Sequence, residues 1–315
     1  MALTTHVARR PRSVTGKGAQ TRHDLQIFNA QLRVTWTTGE KPGGICFIPE
    51  TSTIRNRAVL HKLAAFAAAM GLIAAIVAGQ SPSVSAANRG ELWLVVHDIC
   101  LLAYRSIGVA FPCAEVNLSN GLDRGFAVLQ APPSTAHVIV VPTTRISGIE
   151  SPALQSEEAP NYWEAAWDAR RFVEQGVRRR LAREKIGMAI NSAASRSQDQ
   201  LHIHVSCIAP AVADFLRRHQ GEIRGAWSPL RAKLAGHKFS AMKVETESLA
   251  QVDPFKLLLR GLPSNKLSIG RQTLAVIGAT FHNGKSGFYL LANDTRASPR
   301  ESVGAETLLD DKCAS

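Results

Sequence analysis

Two histidines separated by one residue are the side chains in this sequence best placed to do chemistry. The segment from Gln200 to Cys207 alternates polar and apolar residues, which predicts a β-strand. Successive side chains of a strand point to opposite faces. One face would therefore carry Gln200, His202, His204 and Ser206. The opposite face would carry Leu201, Ile203 and Val205 and would pack on a core.

A polar loop is expected to cover the histidine face. Residues 186–190 are almost entirely apolar and predict a neighbouring strand that ends at Asn191. Residues 192–199 are small, polar or charged. A strand, a loop and a second strand would place the loop next to the two imidazoles, where it could supply hydrogen-bond donors.

Three functions fit this pattern. The histidines could simply be polar residues on a half-exposed strand. They could bind zinc, which imidazole suits, but Cys207 lies on the wrong face to be a third ligand. They could attack phosphorus, with one imidazole as the nucleophile and the neighbouring donors holding phosphate oxygens. Phosphoryl transfer requires mainly positioning and charge stabilisation, and the pattern therefore favours the third function.

The net charge of +12 is concentrated at the N-terminus. Residues 1–62 hold ten Lys or Arg and only three acidic residues. The rest of the chain is close to balanced, so we expect no nucleic-acid partner. With 45% hydrophobic residues, the chain has enough apolar side chains for a substantial core.

The N-terminal region predicts export. Residues 63–79 form an uncharged run of 17 residues, about the minimum for a membrane span. Arg55, Arg57 and Lys62 precede it, so the positive-inside rule places the N-terminus in the cytoplasm and the remainder outside. We expect residues 58–79 to be a single-pass anchor or a cleaved signal, with a buried Ala-rich helix as the alternative. Residues 1–57 are expected to be disordered or an incorrectly assigned start, and residues 80–90 a linker.

The remaining chain predicts a mixture of helices and strands. An amphipathic helix is expected at 91–106, with Leu92, Val95, Val96, Ile99 and Leu102 on its apolar face. A long helix containing Trp163 and Trp167 is expected at 162–185. Further helices are predicted at 210–220 and 248–260. Further strands are predicted at 125–130, 137–142, 238–245, 272–281 and 287–292.

Four cysteines in the exported part predict two disulfides, for which three connectivities exist. Cys100 and Cys113 are close in sequence and would tie the first helix to the next segment. Cys207 and Cys313 would then tie the chain end to the histidine strand. We therefore expect the pairs Cys100–Cys113 and Cys207–Cys313.

Several ordered motifs together resemble one known family. They are Pro112 to Val116, Pro142 to Pro152, the Trp163/Trp167 helix, and the stretch from Asn191 to Cys207. This set resembles the bacterial CDP-diacylglycerol pyrophosphatase family, with the His-φ-His-φ-His motif of the histidine-triad superfamily. One departure is that Gln200 stands where the motif has its first histidine.

The resemblance implies an α+β fold over residues 91–313, with a histidine-triad type antiparallel sheet and packed helices, preceded by the N-terminal membrane segment. It implies hydrolysis of CDP-diacylglycerol to CMP and phosphatidate at the bacterial inner membrane, outside the cytoplasm, without a metal or other cofactor. His202 would be the nucleophile. Gln200 and His204 would hold phosphate oxygens, together with Ser197 and Gln198. Asn191 would orient the nucleotide or the loop, and Arg145 and Arg196 would contact the anion.

Two other functions remain open at this point. One is a related hydrolase that acts on a soluble nucleotide anhydride or phosphoramidate. The other is an exported protein without enzymatic activity that binds a ligand or a metal through the same histidines.

Overall fold

The structure, a computed structural model, describes residues 89–261, 266–294 and 303–314. The expected disordered start and the expected membrane segment lie outside these residues. Within the described ranges, no helix combines the length and the apolar character needed to cross a bilayer.

Ten strands of the described chain form one sheet, and every pair of neighbours is antiparallel. The strands are β1 (Glu115–Asn117), β2 (Phe126–Gln130), β3 (Val138–Pro142), β4 (Ile186–Ile190), β5 (Ile203–Ile208), β6 (Ser228–Pro229), β7 (Ser240–Glu245), β8 (Gln272–Thr280), β9 (Ser286–Asp294) and β10 (Leu309–Asp310). Their order is β1-β2-β3-β5-β4-β8-β9-β7-β6, and β10 pairs with β5. The expected combination of helices with a large antiparallel sheet is confirmed.

In the described ranges, four helices accompany the sheet, in addition to short 3-10 helices. They are α1 (Glu91–Leu94, Val95–Leu101 and Leu102–Ile107 in continuous succession), α2 (Tyr162–Val177), α3 (Pro210–His219) and α4 (Pro254–Gly261). The second helix is shorter than predicted, because Arg178 adopts a left-handed conformation. The Glu174 carboxylate accepts the main-chain N–H of Leu181, which stabilises the chain as it leaves the helix.

The helix α2 covers one face of the sheet. Its first turn is capped by the Asn161 side chain, which accepts from the main-chain N–H groups of Trp163 and Glu164. Trp163 and Trp167 are buried against this face. The apolar side chains of β5 point towards the same core, as the alternation predicted.

Two separate apolar clusters pack on the opposite face. One lies between α1 and strands β1–β3, and the other lies between strands β4 and β7–β9, α3 and the C-terminal segment. His204 is in register with Ile139 on β3 and with Ala189 on β4. Because Ile139 packs on the first cluster and Ala189 belongs to the second, His204 lies on the sheet between them.

The helix α1 departs from the predicted register. Residues 95–101 are π-helical, which shifts the side chains that follow relative to an ordinary α-helix. The buried positions are Leu92, Val96, Cys100 and Leu101. Leu102 was expected on the buried face but is 61% exposed.

Both predicted disulfides are confirmed. Cys100 and Cys113 join α1 to the segment before β1, with a Cα–Cα distance of 5.7 Å. Cys207 on β5 joins Cys313, with a Cα–Cα distance of 5.2 Å. The second bond holds the C-terminal segment against the histidine strand.

Candidate functional site

The loop between β4 and β5 ends at His202, whose ring is fixed by the main chain. The Nδ1 atom of His202 lies 2.6 Å from the main-chain oxygen of Gln200. A carbonyl oxygen only accepts, so Nδ1 must carry the hydrogen. In the neutral ring, Nε2 then keeps its lone pair. Nε2 of His202 can therefore accept a hydrogen bond or donate its lone pair to an electrophile.

His204 lies beside His202 and contacts a third histidine. The two rings are nearly perpendicular, with centroids 4.9 Å apart. The Nδ1 atom of His204 is 3.0 Å from Nε2 of His137, which directly precedes β3. The register brings His137 close, because Ile139 pairs with His204 and His137 lies two residues earlier on the same face.

A carboxylate from the C-terminal segment completes this cluster. Glu306 lies in the short helix Ala305–Leu308, and its Oε2 is 3.0 Å from Nε2 of His204. The pair has the distance of an ion pair but not the geometry of a hydrogen bond, so Nε2 of His204 has no hydrogen-bond partner among the described residues. This buried nitrogen is therefore a polar atom without a hydrogen bond inside the cluster.

Burial keeps the imidazoles of this cluster neutral. It lowers the pKa of His202; the hydrogen bond to the Gln200 main chain opposes this, while Arg196 and His137 act in the same direction as burial. The pKa of His204 is held well below its ordinary value, first by burial and then by the two neighbouring histidines. Burial also lowers the pKa of His137, against the opposing charge of Asp311. By contrast, burial raises the pKa of Glu306.

Gln200 stabilises the main chain around the site. The strand begins at Ile203 and not at Gln200, because the main-chain N–H of Leu201 bonds to the oxygen of Ile146 in the neighbouring loop and not to a strand. Its Nε2 donates to the main-chain oxygens of Pro142 (3.2 Å) and Thr144 (2.9 Å), and its Oε1 accepts from Ile146 N (3.3 Å). The amide is fully buried and is engaged on both sides.

Ion pairs fasten the loop that precedes the histidines. Arg196 donates to Glu150 (2.7 Å) and to Asp199 (3.0 Å). Asp199 also accepts two hydrogen bonds from Arg89, and these two guanidinium groups lower its pKa to about 2. Burial alone would raise the pKa of Glu150, but the bond and charge of Arg196, together with bonds from the main chain and from Ser147, outweigh it and the pKa is lowered.

The other predicted site residues occupy different positions around the loop. Asn191 is buried, and its Oδ1 accepts from the main-chain N–H of Glu306 at 3.4 Å. Gln198 accepts from Leu92 N at 3.0 Å and so connects the loop to α1. Ser197 is exposed. Arg145 is also exposed, with its guanidinium 6.0 Å from the centre of the Trp93 ring.

His137 and Glu306 were absent from the site predicted from the sequence. His137 is isolated in the sequence at the start of a strand, and Glu306 lies in a polar stretch near the C-terminus. Neither position carries a local pattern that indicates chemistry. His137 is brought close by the pairing of β3 with β5, and Glu306 by the pairing of β10 with β5 and by the bond to Asn191. In the described part of the chain, no group of three or more His, Cys, Asp or Glu residues has a geometry that could hold a metal ion.

The chain is similar to known enzymes over most of its length. Similar proteins carry the name of a hydrolase that cleaves a pyrophosphate bond, and this chain is an enzyme of that class. Residues 87–315 match the family model described as CDP-diacylglycerol pyrophosphatase. The chain belongs to this family.

Two relatives illustrate how far the similarity extends. The CDP-diacylglycerol pyrophosphatase of Yersinia pestis is 34% identical over 238 residues, which cover 76% of this chain and 89% of the relative. A probable CDP-diacylglycerol pyrophosphatase of Mycobacterium leprae is 32% identical over 230 residues, which cover 73% of this chain and 82% of the relative.

Proposed function

We propose that this protein hydrolyses CDP-diacylglycerol to CMP and phosphatidate through a cytidylyl-histidine formed on His202, by a mechanism of the histidine-triad type. Family membership supports the substrate. The single observation that supports the mechanism is the hydrogen bond from Nδ1 of His202 to the main-chain oxygen of Gln200. It leaves Nε2 as the nucleophilic atom of a neutral ring.

In the first step, Nε2 of His202 attacks the cytidylyl phosphorus. A nitrogen–phosphorus bond forms, and the bond from phosphorus to the bridging oxygen breaks. Phosphatidate leaves with the electron pair. The ring becomes positively charged as the bond forms, and the carbonyl dipole of Gln200 stabilises that charge through the hydrogen on Nδ1.

His204 holds a phosphate oxygen during this step. To donate from Nε2, the neutral ring must accept at Nδ1, and Nε2–H of His137 supplies the hydrogen bond at 3.0 Å. His137 therefore sets the tautomer that His204 needs. Nε2 of His204 has no hydrogen-bond partner among the described residues, and a phosphate oxygen would accept its hydrogen. This supports the proposed role of His204 as a donor to the phosphate.

In the second step, water attacks the cytidylyl phosphorus and the nitrogen–phosphorus bond breaks. CMP leaves, and His202 regains its lone pair once the proton of the water has passed to solvent or to the departing phosphate. The side chains alone carry the chemistry in this proposal. Ser197 and Arg145 are proposed to contact the substrate. Arg196, Gln198 and Gln200 hold the loops that position the histidines, and Asn191 positions Glu306.

We further propose that residues 58–79 anchor the enzyme in the bacterial inner membrane, with the N-terminus in the cytoplasm and the catalytic unit outside. The uncharged run at 63–79 and the basic residues before it support this orientation. Two disulfides in the catalytic unit also support an oxidising compartment.

Hydrolysis of CDP-diacylglycerol in ¹⁸O-labelled water tests the proposal. Attack at the cytidylyl phosphorus places the label in the phosphate of CMP and leaves phosphatidate unlabelled. The exposed His282 provides a matched control. We expect His202→Ala to reduce turnover to background and His282→Ala to leave it unchanged. Label in phosphatidate would contradict the proposed site of attack, and absence of turnover by the native chain would contradict the proposed substrate.

A further inference from the structure

The exposed apolar residues of the described chain are concentrated on one element. Seven large hydrophobic side chains are exposed in the described ranges, and six of them lie on α1 or directly after it. These six are Leu94, Ile99, Leu102, Ile107, Val109 and Phe111, with exposures from 37% to 63%. We call them the α1 apolar surface. Concentrated exposed apolar residues mark a contact with a partner or with a membrane.

The π-helical segment of α1 contributes to this surface. A regular α-helix would have brought Ile99 and Leu102 towards the core together with Leu92 and Val96. The shift at residues 95–101 buries Cys100 and Leu101 instead, next to the disulfide with Cys113. Two of the apolar side chains that would suit the core therefore remain in contact with solvent.

The α1 apolar surface belongs to an element that borders the candidate site. The main-chain N–H of Leu92 donates to Gln198, and Arg89 pairs with Asp199 on the loop before the histidines. The cluster beneath α1 also includes Ile139, which is the register partner of His204. The α1 apolar surface is thus carried by an element that is bonded directly to the loop before His202.

We propose that the α1 apolar surface rests on the lipid bilayer and brings the candidate site to CDP-diacylglycerol within it; this inference depends on the proposed function. Eleven residues, 80–90, lie between the uncharged run at 63–79 and the first residue of α1. Eleven extended residues span at most about 40 Å, so an anchor there keeps α1 near the membrane. A helix whose outer face carries leucine and isoleucine can lie in the interface, where burial of each side chain adds to binding.

The experiment uses the full chain and two substrates. CDP-diacylglycerol in phosphatidylcholine vesicles requires the lipid surface, and a soluble CDP-alcohol without acyl chains does not. We expect the double variant Leu94→Gln/Leu102→Gln to lose about tenfold or more in kcat/KM on vesicles, by loss of apolar burial, and to change less than about twofold on the soluble substrate. Glutamine is a good helix former, so α1 should remain intact. The matched control is Leu122→Gln, the same change at the exposed leucine outside this surface.

A second measurement detects contact with lipid without requiring activity. Tryptophan is introduced as Leu102→Trp or Leu122→Trp, and the chain is reconstituted in vesicles of brominated phosphatidylcholine. We expect the added emission at position 102 to be quenched and that at position 122 to be unaffected. Quenching at position 102 in a chain that hydrolyses neither substrate would support the surface while contradicting the proposed function.

Three results would overturn the proposal. The first is unchanged turnover on vesicles by the double variant. The second is an equal loss on both substrates. The third is no quenching at position 102. If the double variant then also changed from a dimer to a monomer, a second copy of the chain would be identified as the occupant of this surface.

Discussion

The Nδ1 atom of His202 lies 2.6 Å from the main-chain oxygen of Gln200, so the main chain itself selects the tautomer of the proposed nucleophile. This contact does not depend on which side chain stands at position 200. The proposed nucleophile would therefore keep the same tautomer with either glutamine or histidine at position 200. The Gln200 side chain meanwhile bonds to the loop at 142–146.

The rate of the chemical step should fall only at low pH. Above its pKa, His202 is neutral and has its lone pair; below its pKa, the ring is protonated and cannot attack. Because burial lowers this pKa from the ordinary value of 6.5, the acid limb should lie below pH 6.5. Single-turnover rates from pH 5 to 8 would check this expectation. A limb centred above 6.5 would contradict it.

His137→Phe should lower kcat without a comparable change in KM. The substitution removes the donor to Nδ1 of His204, so the neutral His204 ring is free to place its hydrogen on the wrong nitrogen. Loss of such a supporting hydrogen bond typically costs about 10–100-fold in activity. His137→Gln, whose amide can still donate, should retain more activity. Steady-state kinetics with His282→Phe as the control test this role, and equal activity of the Phe and Gln variants would argue against it.

Glu306→Gln should remove a pH dependence of substrate binding. Burial raises the pKa of this carboxyl, and its ionised form beside His204 repels the phosphate groups. The KM of the native enzyme should therefore rise as pH increases through this pKa, by roughly three- to tenfold for a partly exposed pair of charges. The glutamine variant should show a flat KM, and the exposed Glu184→Gln should behave like the native chain. The same KM profile in both glutamine variants would refute this effect.

Arg196→Met should destabilise the fold as well as the site. The Arg196 side chain is only 9% exposed and bonds to Glu150 and Asp199, so the variant leaves two carboxylates without this partner. We expect a loss of about 1–3 kcal/mol in the free energy of unfolding, since each lost bond involves charged groups. Urea denaturation should show a much smaller loss for Arg180→Met, where the replaced side chain is 92% exposed. Similar losses in the two variants would show that the loop is not fastened by Arg196.

The sequence predicted the features that depend on local pattern. Alternation around His202 and His204 placed both rings on one face, and a helix containing Trp163 and Trp167 was correctly expected. The cysteine pairs were also predicted correctly. Each of these predictions used either the period of apolar residues along the chain or the positions of the cysteines.

Features that depend on tertiary context could not be predicted in the same way. His137 and Glu306 reach His204 only through strand register and through the C-terminal segment held by Cys313. The π-helical shift in α1 moved Leu102 to solvent, although helical spacing placed it with Leu92. Arg196 was expected to contact an anion, and the structure places it between two carboxylates of the protein.

The most direct test of the central claim is chemical trapping of the intermediate. CDP-diacylglycerol labelled at the cytidylyl phosphate is mixed with enzyme in a quenched-flow instrument, and the peptides are mapped under alkaline conditions that preserve phosphohistidine-type bonds. We expect the label on His202, no label in His202→Ala, and slower labelling in His204→Ala by about 10²–10³-fold, as for loss of one electrostatic donor. Label on a serine or on His204, or continued turnover by His202→Ala without any labelled residue, would contradict the mechanism.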